Sequence, residues 1–153
     1  MKDYDNLWDD YSIEFNSKLV DSGGDWSRLD EDEQEIAALW KLYVDINNGG
    51  FIQFFCNWGF QCLCYAMRGL KRIEDTSLYD LLDDTYCNVL DKFKNDTRLT
   101  AYWDIPEYLT DEDMERLDAA DTQFYETECE HFTKMAYEYY RQTLKKMVTP
   151  VNG

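Results

Sequence analysis

The sequence predicts an all-α fold, one domain of about six helices covering residues 1–153. Three observations point there. Helix breakers are scarce, with two prolines and seven glycines in 153 residues. Apolar residues recur every three or four positions over long stretches, the period of a half-buried helix. No stretch alternates apolar and polar residues long enough to make a strand, and no internal repeat is present. The length suits one domain of ~100–200 residues. A hydrophobic fraction of 44%, with 16% aromatic, supplies a core and argues against a disordered chain.

Taken in order, Tyr4, Trp8, Tyr11, Phe15 and Leu19 form one stripe of a first helix, ending near Ser22-Gly23-Gly24. Ser27 is read as the cap of a second helix, with Asp30 in the capping-box position three residues on. Its apolar face is Ile36, Leu39, Trp40, Tyr43 and Val44, and Asn47-Asn48-Gly49-Gly50 stops it, because Asn and Gly accept the left-handed conformation. Residues 51–58 are apolar almost throughout and read as a buried helix, broken at Gly59 and resumed from Phe60 to about Arg72. Phe51, Phe54 and Phe55 are assigned to the core. A further helix begins at Asp75 or Thr76, with Leu78, Leu81, Leu82, Tyr86, Val89, Leu90 and Phe93 as its stripe, and ends before Asn95-Asp96. Ile105-Pro106 marks a turn. Thr110 opens another capping box, and a helical pattern runs on to Val148 with a kink near Ala119-Ala120. Leu117, Phe124, Phe132, Met135, Tyr139 and Leu144 form its inner face.

Charge is the dominant feature of the surface. There are 32 Asp and Glu against 15 Lys and Arg, a net charge of −17. Direct binding to DNA or RNA needs basic surface and is excluded on this balance. Anionic membranes are disfavoured for the same reason, and no run approaches the ~18 apolar residues of a membrane span. The opening MKDYDNLWDD lacks the apolar stretch of a signal peptide, so the cytoplasm is expected. Five cysteines, an odd number in a chain of this type, read as free thiols rather than a disulfide framework.

The acids are concentrated in blocks. Residues 1–35 hold 12 acids against Lys2, Lys18 and Arg28, residues 74–84 hold five with no base, and residues 104–130 hold 11 against Arg116 alone. Residues 36–73, by contrast, are net positive. Asp10 and Glu14, Asp80 and Asp84, and Asp111, Glu115 and Asp118 fall at spacings that share a helix face. Like charges so placed cost a few tenths of a kcal/mol each, and ordinary soluble surfaces interleave both signs. The plain explanation is a solvated, solubilising face. The sharper one is a binding surface whose field draws in a basic partner. Carboxylates one helical turn apart are ~5–6 Å apart at Cβ and can imitate the regular charges of a duplex backbone. The residues assigned to such a surface are Asp9, Asp10, Glu14, Asp30, Glu31, Asp32, Glu33, Glu35, Asp80, Asp83, Asp84, Asp111, Glu112, Asp113, Glu115, Asp118 and Asp121.

Catalytic chemistry finds little support. Glu128-Cys-Glu-His131 has the Glu-x-x-His spacing of di-iron bundles, but that site needs the motif twice, and His131 is the only histidine. Windows at Asp30 and Asp111 fail as calcium loops, with Glu35 and Arg116 where glycine is required. Phosphate-binding glycine loops and hydrolase elbows are absent. Cys129 and His131, two residues apart, diverge around a helix and make no nucleophile pair. No enzyme activity, cofactor or metal is expected. Asn48 and Gln53 are polar residues that could line a pocket, with nothing else converging on them.

Asn48-Gly49-Gly50-Phe51, with Gln53, Phe55 and Asn57, resembles the NGGFxQ core of a family of small bacterial helical domains. Tyr43-Val44-Asp45, and later Leu117-Asp118, Asp121 and Phe124-Tyr125, are similar to that family too, over about residues 33–145. The family implies an all-helical fold. It includes an acidic neisserial DNA mimic, which the acidity and opening helix here resemble. That likeness implies a homodimer whose acidic face binds a helix-turn-helix transcription factor and keeps it from operator DNA. The motif lies in the net-positive stretch and reads as scaffold. The alternative is an acidic immunity or antitoxin-type protein that inhibits a basic nuclease, or a generic acidic interaction protein.

Overall fold

A computed structural model of the chain describes residues 3–148, with side chains as far as residue 142. All regular structure among the described residues is helical. Helix α1 spans Tyr4–Asp21, α2 Glu31–Arg72, α3 Thr76–Thr85, α4 Asp111–Gln123 and α5 Cys129–Val148. Short helical turns at Trp26–Arg28, Asp91–Phe93 and Tyr102–Tyr108 are of the tighter 3-10 type, whereas Tyr86–Leu90 and Phe124–Glu128 are π-helical.

The α2 path is bent twice, where the sequence places its glycines. Gly50 has φ +84° and Gly59 φ +73°, backbone that L side chains rarely adopt. Space forbids a side chain at both positions as well. A Cβ on Gly50 would collide with the Asp121 carboxylate, and one on Gly59 with the Tyr102 ring. The bends separate stretches 31–48, 51–58 and 60–72 and fold the last back beside the first, so that Gly69 abuts Leu39 and Glu35. Phe51, Phe54 and Phe55 are buried as expected.

Around this folded helix α1 packs against α2 and α5, while α3 and α4 pack against α2 and each other. Trp8 of α1 is fully buried between Phe132 and Tyr140 of α5, with ring centroids 6.1 and 6.2 Å away. Phe51 meets Phe124 edge-on at 6.2 Å. Fully burying such side chains is worth roughly 1.5–3 kcal/mol each.

Three local expectations are corrected. Ser27 does not cap α2: it lies in the Trp26–Arg28 turn, where its N–H donates to Asp25, and the α2 N-cap is Asp30, whose N–H donates to Glu33 at 3.0 Å. The helix from residue 76 does not stay regular to Phe93, because it widens into the π turn at Tyr86 and tightens at Asp91. The break after Thr110 falls at Phe124–Glu128 rather than at Ala119-Ala120. The Phe124 ring is fully buried there. Ile105 is buried on the Tyr102–Tyr108 turn, which Pro106 tolerates. Leu117, Phe124 and Phe132 are buried and Met135 and Tyr139 partly so, while the side chain of Leu144 lies outside the described residues.

Candidate functional site

The acidic blocks do not behave as one class once folded. Glu35 has no exposed surface: its carboxylate meets Arg68 at 2.5 Å and Arg72 at 2.9 Å and accepts the Tyr140 hydroxyl at 2.9 Å. Asp32, also buried, pairs with Arg72 at 3.2 Å. Glu33 is buried against Lys18 at 2.6 Å, and Asp113 against Lys92 at 2.5 Å. Burial raises the carboxyls of Glu33 and Asp113, but hydrogen bonds from those lysines and from the cap backbone outweigh it, holding both below the usual carboxylate range. Asp121 accepts the Phe51 N–H at 2.9 Å and so caps the 51–58 stretch across the bend. Asp9 accepts the Trp40 indole N–H at 2.8 Å. Glu35, Asp32, Glu33, Asp113 and Asp121 are therefore struts of the fold and leave the phosphate-like set. Asp9 is half-buried and committed to Trp40.

The remaining residues stay at the surface. Asp10, Glu14, Asp80, Asp84, Asp111, Glu115 and Asp118 are exposed, and none is in a hydrogen bond or an ion pair among the described residues. Asp30 is exposed at the α2 cap. Glu31 reaches Arg72 at 3.5 Å, and Glu112 holds Arg116 at 3.0 Å. Asp83 is half-buried. The α3 and α4 blocks adjoin, because these helices pack together and share a groove to which Asp84, Arg116 and Gln123 contribute. The α1 acids belong to another side, where α1 lies on α2 and α5.

On that side a cleft of about 580 Å³ opens between the start of α1, the end of the 31–48 stretch and the start of α5. Asp3, Asp5 and Glu130 line it together with Tyr4, Tyr125 and Asn47. The Tyr125 hydroxyl donates to the Ile46 carbonyl at 2.5 Å, and Asp5 accepts the Thr133 hydroxyl at 2.7 Å. Burial first, and then the charges of Asp5, Asp9 and Asp3, push the Tyr43 hydroxyl up to about 12. Sequence reasoning missed Asp3, Asp5 and Glu130 as a group. The first two stand in the acidic opening block, but their convergence with Glu130 depends on how α1 packs against α5.

The NGGF motif is scaffold. The buried Asp45 carboxylate accepts from Gln53 at 3.1 Å, Asn57 at 3.3 Å and the Trp58 indole at 2.6 Å. Asn48 donates to Gln53 at 3.2 Å, so Asn48 and Gln53 belong to this network instead of lining a pocket. Lys41, 2% exposed, places its ammonium 3.6 Å from the Trp58 ring and donates to Asn16. Burial draws its amine below the ordinary lysine value.

All five cysteines are free thiols: Cys56 and Cys62 are buried, Cys129 is half-buried, and Cys64 and Cys87 are exposed. Among the described residues no group of three or more His, Cys, Asp or Glu is arranged to hold a metal ion. No helix there is long and apolar enough to cross a membrane.

These features define an all-helical protein with acidic helix faces on a motif-braced core. Residues 27–143 match the family described as DMP19-like protein, and the chain belongs to that family. The family is that of a DNA mimic and is not known as enzymatic. Neither the curated proteins nor the solved structures contain a match to the chain.

Proposed function

We propose that this protein is a DNA mimic that binds a basic, helix-turn-helix transcription factor and keeps it off its operator. The observation that carries the reading is the set of seven exposed carboxylates, on α1, α3 and α4, that the fold leaves without hydrogen bond or ion pair. Asp80 and Asp84, and Asp111, Glu115 and Asp118, repeat at one-turn spacing on two adjoining helices. Lysines and arginines that ordinarily contact phosphates would pair with these groups, and the factor would leave DNA by mass action. The net charge of −17 also favours rapid encounter with a cationic partner. The cleft of Asp3, Asp5 and Glu130 adds recessed acidic surface with room for a long basic side chain. A homodimer would present two such surfaces to a two-fold factor, and the cytoplasm would be the place of action. The work needs no catalytic residue, metal or cofactor.

The test is capture of partners from native cytoplasm at low salt, with the wild-type protein and an Asp80→Lys, Asp83→Lys, Asp84→Lys variant as parallel baits. A basic DNA-binding factor held by the wild type and lost by the helical variant supports the reading. A basic nuclease held in its place would point to an immunity protein instead.

A further inference from the structure

Asp75 occupies the corner between α2 and α3, directly after Glu74, whose φ of +62° turns the chain. Its Oδ1 accepts the Leu78 N–H at 3.2 Å and caps α3. Its Oδ2 is buried and has no hydrogen-bond partner among the described residues, and the whole residue is 1% exposed. Buried carboxylate oxygens are almost always paired, so this one stands out.

The nearest cation-forming group is His131, near the start of α5, with Nδ1 3.9 Å from Asp75 Oδ1. Its ring is 58% exposed and has room to turn. A charge-assisted hydrogen bond of ~2.8 Å to Oδ1, which keeps the Leu78 N–H as its other donor, needs a shift of about 1 Å and places positive charge beside the carboxylate whose Oδ2 is unpaired. The charged groups acting on this corner besides His131 are Asp75, the N-cap of α3, and Glu128 from the π turn. Glu128 accepts the Ser77 hydroxyl at 2.6 Å and the Gln123 amide at 3.4 Å, both through Oε1. Lys134, on the same helix as His131, directs its ammonium to the Tyr4 ring at 5.8 Å, and Glu130 faces the cleft beside Asp3. Burial pushes the Asp75 carboxyl up, and Glu128 adds to that, while the Leu78 N–H and His131 pull it down.

We propose that protonated His131 closes onto Asp75 as a proton-operated clasp between the start of α3 and the start of α5. The clasp grips the helix that carries Asp80, Asp83 and Asp84, and it does not depend on what that helix binds. It needs an ionised Asp75 and a charged imidazole together. Its contribution is therefore present while the imidazole is protonated and is lost as pH rises and the ring gives up its proton.

Thermal unfolding of wild type and His131→Gln at pH 6 and pH 8 reads the clasp directly. The wild-type advantage in Tm should be larger at pH 6 by about 1–2 °C. An equal advantage at both pH values overturns the proposal. The single histidine gives an independent reading, because one imidazole Hε1 proton signal titrates by NMR. Asp75→Asn, which keeps a good helix cap, should lower the titration midpoint by about half a pH unit. Asp80→Asn, which removes an exposed charge on the same helix, should leave it nearly unmoved. Equal shifts in the two variants would reduce the effect to the general field of an acidic protein and overturn the clasp.

Discussion

Glu35 and Arg68 form an ion pair at 2.5 Å that ties the first turns of α2 to its last, 33 residues further along the same bent helix. Arg72 and the Tyr140 hydroxyl complete the cage around the carboxylate. Removing one member of a buried pair leaves the others uncompensated. Both arginines are about one-third exposed, which moderates the cost. Glu35→Ala should lower stability by about 3 kcal/mol in urea unfolding followed by circular dichroism. Asp80→Ala, at an unpaired surface site, should stay within about 0.5 kcal/mol of wild type. Equal losses at the two positions would contradict the division between strut and surface carboxylates.

The Gly50 bend rests on both backbone and contact. Gly50→Ala forces a side chain into positive φ and against Asp121, and should cost about 3 kcal/mol. Asp121→Ala removes the acceptor of the Phe51 N–H and should cost about 1–2 kcal/mol. The same urea titrations check both values. An Asp121→Ala protein as stable as wild type would return Asp121 to the surface set.

Acid should loosen the fold through Glu33 and Asp113. Both carboxyls are held below their ordinary values, so their stabilisation is complete above the unfolded values, roughly 4, and is lost as pH falls through the lower folded ones. Lys18 and Lys92 are about half exposed, which limits each pair to about 1 kcal/mol. Lys18→Met and Lys92→Met should each move the acid transition to higher pH. Ellipticity at 222 nm between pH 6 and pH 2 shows the displacement, and an unmoved midpoint would assign the acid sensitivity to other groups.

Much of the fold was legible because its signals are local. The Asn47–Gly50 stop, the break at Gly59 and the Thr110 capping box each depend on a few adjacent residues, and all three occur where the sequence places them. The π turns were not legible, since the stripe through Tyr86 and Phe93 looks alike whether a turn holds one residue more or fewer. The site was read less well for a different reason. A run of acids such as Asp30 to Glu35 reports sign and spacing, while the burial of Glu35 depends on arginines more than thirty residues away. Asp113 likewise carries nothing in the sequence that separates it from its block, because the Lys92 that covers it lies 21 residues away. Asp3, Asp5 and Glu130 meet only because α1 lies along α5.

Salt should separate a charge-driven contact from an apolar one. Binding of a basic partner through Asp80, Asp84, Asp111, Glu115 and Asp118 should weaken by about tenfold or more between 50 and 200 mM salt. Isothermal titration at several ionic strengths measures it. A flat dependence would move the contact to the exposed aromatic residues Trp58, Tyr102 and Trp103.

The most direct measurement is competition. A captured DNA-binding factor is held on fluorescently labelled operator DNA, and this protein is titrated in while anisotropy is read. DNA mimicry requires the wild type to release the DNA in proportion to its own affinity for the factor, and the Asp80→Lys, Asp83→Lys, Asp84→Lys variant to release little. A stable ternary complex of factor, DNA and this protein, or equal release by the variant, would contradict it.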